Sequence, residues 1–110
     1  MTTTTPDVVT RFLAAADVDD IDALVDCFAP DAGVTDEGHT YRGHDQVRRW
    51  RDTVAGRYTY TTTVTGSEVV DASNYRVSVR IAGNFPGGVA DLVYRFELDG
   101  SSITGLRIGG

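Results

Sequence analysis

The segment from Val34 to Trp50, VTDEGHTYRGHDQVRRW, collects side chains able to do chemistry: the carboxylate of Asp36, the imidazoles of His39 and His44, and the indole of Trp50. A carboxylate facing an apolar helix across a small fold is suited to proton abstraction, because desolvation lifts a carboxyl pKa toward the working range. An imidazole nearby can shuttle the proton or polarise a carbonyl, which makes His39 the second catalytic candidate. Each residue also has a purely structural reading. Asp is favoured as the first residue of a turn, where its side chain bonds nearby backbone N–H groups. His39 fits an exposed strand or loop, and His44 fits a helix start. Carboxylate and imidazole suit several divalent metals, yet Asp36, His39 and His44 have no spacing that makes them converge, so no metal is expected. No cofactor is expected either.

Trp50, Tyr60 and Tyr94 are candidates for lining a ligand pocket, since each has an apolar body and one N–H or O–H donor; the same residues serve equally as core aromatics with a satisfied polar tip. The basic cluster Arg42, Arg48, Arg49, Arg51 and Arg57 offers planar forks of donors to an anion. Asp45 with Arg49 and Arg48 with Asp52 stand four residues apart, however, so the cluster reads as a solvated helix face. All ten basic residues are arginine, which removes Schiff-base lysine chemistry. Cys27 is the single cysteine, so no internal disulfide forms, and it is expected to pack as a small hydrophobe.

The elements that must position these groups begin with helices. Thr5 before Pro6 predicts an N-cap followed by a proline at the first helical position, and a helix to about Ala16 with Val9, Leu13 and Ala16 on one face and Phe12 beside them. Asp19 or Asp20 caps a second helix in which Ile21, Leu24, Val25 and Phe28 recur before Pro30 stops it. Asp36-Glu37-Gly38-His39 turns between two short strands, and Gly43 or His44 starts a third helix bearing Val47, Trp50 and Val54 and closed by Gly56. From Arg57 the period becomes two. Tyr58, Tyr60, Thr62 and Val64 alternate with threonines, and Val77, Val79 and Ile81 alternate with Arg76, Ser78 and Arg80. In the strand Val89 to Leu98 the even positions are apolar, which turns Leu92, Tyr94 and Phe96 inward, with Leu92 and Phe96 the better buried, and Asp91 outward. A last strand runs from about Ile103 to Ile108.

Length and composition bound the rest. With 110 residues, 41% hydrophobic and 24% charged, residues 6–110 make one domain with one core, and residues 1–5 a disordered tail. A net charge of -6 disfavours nucleic acid, whose binding rests on clustered cations. No apolar run approaches the roughly 20 residues of a spanning helix, so no membrane is expected as a partner. MTTTTPD lacks the basic and apolar regions of an export signal, which points to the cytoplasm. Helices followed by antiparallel strands predict an α+β domain, a curved antiparallel or mixed sheet with three N-terminal helices on its concave face.

That order of elements, with G-H-D-x-V-x-x-W at residues 43–50 and R-F-E-L-D-G-x-x-I at residues 95–103, resembles the nuclear transport factor 2-like superfamily, in particular its SnoaL-like and ketosteroid-isomerase-like branch, over nearly the whole chain. The resemblance implies a cone-shaped sheet, open at one end, often a homodimer through the outer sheet face, with members that include isomerases, cyclases and non-catalytic binding modules. Reading AGVTDEG against the isomerase pattern A-x-V-x-D-P-x-G, Asp36 falls where that branch keeps its general base. The positions of its oxyanion-hole tyrosine and protonated acid hold Phe12 and Leu92, which donate no hydrogen bond and are read instead as substrate-binding. Removing one oxyanion donor costs roughly 100-fold or more in rate, so ketosteroid isomerase activity itself is not expected. Two function classes stay open: a cofactor-independent isomerase or cyclase that abstracts a proton from a small apolar carbonyl compound, and a non-catalytic module that binds a small hydrophobic ligand or dimerises.

Overall fold

Residues 6–57 and 59–109 are described by the structure, a computed structural model. Helix α1 spans Asp7–Asp17 and buries Val8, Val9, Phe12 and Ala15, a stripe rotated one residue from the expected Val9–Leu13–Ala16 face; Leu13 and Ala16 flank it, half-buried. Pro6 stands just outside the helix rather than in its first turn, its carbonyl accepting from the N–H groups of Val9 and Thr10. Thr5 as a cap, residues 1–5 as a tail and Tyr58 in a strand are expectations that lie outside the described residues. Asp20 caps α2 (Ile21–Asp26) by accepting from the Ala23 N–H at 3.2 Å.

The second helix is shorter than its apolar spacing predicts. Phe28 opens strand β1 (Phe28–Asp36), and Pro30 lies inside that strand instead of stopping the helix. The reason is tertiary: Phe28 pairs with Ile103, far along the chain, and captures the residues the helix would have used. The register shifts between Phe28 and Gly33, and Pro30, with no N–H to give a ladder, falls in that irregular stretch.

Strand β2 (His39–Arg42) closes a hairpin with β1, and α3 (His44–Arg57) follows, one residue past the expected stop at Gly56. Then come β3 (Tyr60–Val69), β4 (Asn74–Gly83), β5 (Val89–Asp99) and β6 (Ser102–Gly109). The six strands form one sheet in the order β2-β1-β6-β5-β4-β3, antiparallel throughout except for the parallel pair β1 and β6. It is an α+β fold: a curved, open cone with β2 and β3 at its edges and the helices on its concave side. Among the described residues no helix is long and apolar enough to cross a membrane.

Register explains which side chains meet inside. Asp36 aligns with Ile108, Ile108 with Tyr94 and Tyr94 with Val77, so these four share one inward row; Val34, Leu106, Phe96 and Tyr75 form the next. Asp91 and Arg95 face out, as the alternation of β5 predicts, and Asp91 pairs with Arg80 at 2.9 Å. Leu92 departs from expectation: it is half-buried, whereas Tyr94 is buried. It sits toward the open end of the cone, in the wall of a cavity that no helix fills. Phe12 lies at the centre of the core, 1% exposed, with its ring edge-on to Phe28, Tyr94 and Phe96 at centroid distances of 5.7, 6.3 and 5.5 Å. Such pairs add about 0.5–1.5 kcal/mol each beyond the area they bury.

Candidate functional site in the cone

The β1–β2 turn places Asp36. Its two central residues, Glu37 at φ 52 and Gly38 at φ 78, are both left-handed, the backbone that a two-residue hairpin loop needs to match strand twist. Asp36 is therefore the last residue of β1, half-buried, with its side chain on the inner row beside Ile108 and Tyr94. There it meets α3. The Trp50 indole N–H donates to Asp36 Oδ2 at 2.9 Å, and Trp50 is itself buried, so a rigid element fixes the carboxylate. That bond commits the one polar donor of Trp50 to Asp36 and removes it as a donor to a ligand.

Asp36 forms part of the wall of a cavity of about 480 Å³ at the open end of the cone. Its apolar lining comes from Val54 of α3, Ile81 of β4, Ala90 and Leu92 of β5, and Ile108 of β6, with Phe85 and Pro86 of the β4–β5 loop at its mouth. Asp36, Glu37, Arg51, Tyr60 and Tyr94 are the lining side chains that can exchange protons or hydrogen bonds with an occupant, Glu37 from the exposed hairpin turn beside Asp36. Burial raises the Tyr94 phenol well above the ordinary tyrosine range, Tyr60 and Asp36 push the same way, and Arg51 pulls back only in part. Tyr94 thus keeps its proton and is a constant hydrogen-bond donor.

Arg51 is the residue that sequence reasoning misplaced. Charge spacing assigns it to a solvated face, yet it is 5% exposed. Val47, Trp50, Arg51 and Val54 stand at i, i+3, i+4 and i+7, and that stripe is the signal that puts Arg51 on the inward side of α3. Its Nη1 donates to the Tyr60 hydroxyl at 3.3 Å, its Nη2 meets Asp19 Oδ1 at 3.3 Å, and its guanidinium lies 5.3 Å from the Trp50 ring centroid. Arg48 turns outward to Asp22 at 2.8 Å, as a solvated arginine should.

The remaining candidates separate. Tyr60 and Leu92 line the cavity, while Phe12 stands behind its wall. His39 is exposed at the hairpin end, opposite Asp36 in the ladder but outside the cavity lining. His44 Nε2 donates to the Phe28 carbonyl at 2.8 Å and ties the start of α3 to the start of β1. Among the described residues no three His, Cys, Asp or Glu side chains are grouped to hold a metal ion. Cys27 is buried, and that burial pushes its thiol pKa up.

Two further depressions exist. One of about 390 Å³ lies below the first, between the end of α1 and β3, and shares Arg51, Tyr60 and Tyr94 with it. The other, about 570 Å³, lies on the outer face of the sheet among Arg42, Arg76, Arg95 and Arg107. The cone cavity is the better candidate site, because its carboxylate is half-buried and held at 2.9 Å by a buried indole, whereas Asp19 of the lower depression is 62% exposed and meets Arg51 at 3.3 Å.

The SnoaL-like domain family matches residues 9–105. A proposed polyketide cyclase from Sinorhizobium meliloti shares 33% identity and a TM-score of 0.91, over 96% of this chain and 95% of that one. A Catenulispora acidiphila protein with a ketosteroid isomerase-like fold, solved with trimethylamine, shares 22% identity and a TM-score of 0.87 over 97% and 87%. A Mycobacterium tuberculosis protein solved with estradiol-17beta-hemisuccinate shares 14% identity and a TM-score of 0.78 over 94% and 90%. The last two speak to fold alone. The comparison with curated proteins finds no match.

Proposed function

The chain belongs to the SnoaL-like family of the nuclear transport factor 2-like superfamily, and from that premise we propose that its cone binds a small apolar carbonyl compound and that Asp36 abstracts a proton from carbon within it. One observation carries this reading: a carboxylate, oriented by the Trp50 N–H at 2.9 Å, in the wall of a largely apolar cavity of about 480 Å³. Asp36 takes the proton α to the carbonyl, and the developing enolate oxygen accepts from Tyr94, which keeps its phenolic proton, or from Tyr60. Returning the proton to a different carbon isomerises the compound; attack of the enolate carbon on a second carbonyl closes a ring. Neither outcome calls for a cofactor. His39, exposed and off the cavity wall, takes no direct step. The Sinorhizobium relative, described as a proposed polyketide cyclase, supports the cyclase form, and the steroid ester held by the mycobacterial neighbour supports an apolar ring as occupant.

A second reading, a non-catalytic binding module, draws on the apolar side chains of Phe12 and Leu92 where isomerase relatives keep oxyanion donors. A thermal-shift screen with aromatic, polyketide-like and steroid-like ketones tests the shared part of both readings. Selective ligands raise the melting temperature of the wild type by mass action, and Leu92→Trp, which fills the cavity, abolishes that rise. A rise that Leu92→Trp leaves intact places the ligand elsewhere and rejects the cone as the site.

In the same reading the protein works as a homodimer through the outer sheet face, where Val89 is exposed among charges of both signs: Arg76, Arg95 and Arg107 aligned across neighbouring strands, and Glu68, Glu97 and Asp91 beside them. A two-fold axis lets one such patch serve both subunits. Light scattering then gives twice 11.9 kDa at micromolar concentration; a mass of 11.9 kDa throughout rejects the dimer.

A further inference from the structure

Arg51 is the one charged residue that the described fold buries, and a buried guanidinium is costly unless charge and donors are both met. Among the described residues no buried side-chain nitrogen or oxygen lacks a hydrogen-bond partner, yet the partners of Arg51 are few and long. Asp19 touches only Nη2, at 3.3 Å, and its carboxylate is 62% exposed; Tyr60 accepts from Nη1, also at 3.3 Å. Carboxylates pair best with arginine through two parallel N–H···O bonds, and Asp19 supplies a single long contact. Asp19 also reaches this position from a left-handed backbone, φ 55, which a non-glycine residue seldom adopts. Of the five N–H donors of a guanidinium, two are engaged by described residues.

The place of Arg51 in the fold gives its spare donors a use. With Tyr60 and Tyr94 it forms the partition between the cone cavity and the depression beneath it, and it lines both. Each depression has two carboxylates in its lining, Asp17 and Asp19 below and Asp36 and Glu37 above; the upper one adds the apolar wall of Ile81, Leu92 and Ile108 that a ring can cover. Asp36 and Glu37 are neighbours at the end of β1, so a ligand anion in the upper cavity is repelled from them and drawn to Arg51.

We propose that Arg51 is the anion-recognition residue of the cone and that its ligand is an apolar ring compound bearing a carboxylate, the ring against Ile81, Leu92 and Ile108 and the carboxylate on the guanidinium fork. This rests on the reading of the cone as a small-molecule site and adds to it the polar group by which the ligand is chosen. The orientation follows: the carboxylate lies at the partition and the ring presents its reacting carbon to Asp36.

The test uses two matched probes, β-naphthoic acid and its methyl ester, titrated into the wild type, Arg51→Leu and Arg51→Lys by calorimetry near pH 7. The wild type is expected to bind the acid about tenfold or more tighter than the ester, the contribution of a charge-assisted pair. Arg51→Leu brings that ratio to about one while ester affinity stays within about twofold, and Arg51→Lys keeps part of the preference because a point charge replaces the fork. Equal binding of acid and ester by the wild type, or an undiminished preference in Arg51→Leu, overturns the proposal and leaves the cone reading standing. Failure of both probes to bind the wild type overturns both. If Arg51→Leu does not fold, the wild-type ratio and its reduction in Arg51→Lys decide the matter.

Discussion

Replacing Trp50 by phenylalanine keeps an aromatic ring in α3 and removes the N–H that holds Asp36. A hydrogen bond to a charged acceptor contributes about 1.5–3 kcal/mol when fully buried. Asp36 is half-buried in a cavity wall, where water can take the place of the indole, so a value of about 1 kcal/mol applies. Trp50 is 2% exposed, and the smaller ring leaves unfilled volume that costs about another 1 kcal/mol. Trp50→Phe should therefore destabilise the domain by about 2 kcal/mol and lower the melting temperature by roughly 10 °C. A double-mutant cycle with Asp36→Ala, read by urea denaturation, isolates the bond from the packing and should return a coupling of about 1 kcal/mol. A coupling below about 0.3 kcal/mol would mean that the indole does not hold the carboxylate, and the reasoning about an oriented base would fail with it.

Gly83 allows a close backbone approach: a Cβ there would overlap the Thr59 carbonyl and the backbone of Tyr60, so Gly83→Ala should cost about 2 kcal/mol or more in denaturant melts, and a neutral result would contradict the described β3–β4 packing. Asp71, which accepts from the Ser73 N–H and from Asn74, has its carboxyl pKa held below the ordinary value. Its folded value is the depressed one, so its stabilisation is present above the unfolded carboxylate range and is lost as pH falls through the folded value, below about pH 4. The stability gap between wild type and Asp71→Ala should accordingly be steady near pH 6 and close toward pH 2; a gap that widens in acid would reverse the sign.

Much of this arrangement is written in local pattern. The alternation of β5 sets its inward face, so Tyr94 and Phe96 were legible from spacing alone, and the Gly-turned hairpin after Asp36 marked the end of β1. What escaped was set by partners distant in sequence. Phe28 leaves the second helix because Ile103 pairs with it, and no feature near Pro30 announces a strand 75 residues away. Leu92 is less buried than its phase suggests because the cone is left open beside it, a property of the whole sheet rather than of β5. Arg51 is legible in principle: the charge spacing on α3 points outward, but the inward stripe of Val47, Trp50 and Val54, which Arg51 completes, is the pattern the fold obeys.

The central claim is that Asp36 acts as a base on a carbonyl compound held in the cone, and hydrogen exchange on a bound ketone tests it without knowledge of the physiological substrate. β-Tetralone, an apolar bicyclic ketone with acidic C–H groups, is incubated in D2O with the wild type and with Asp36→Asn, and loss of its α-proton signals is followed by NMR. The account predicts exchange accelerated by the wild type and reduced about 100-fold or more in Asp36→Asn, with affinity for the ketone unchanged, the usual scale of a lost general base. Exchange at the same rate in both proteins would contradict it.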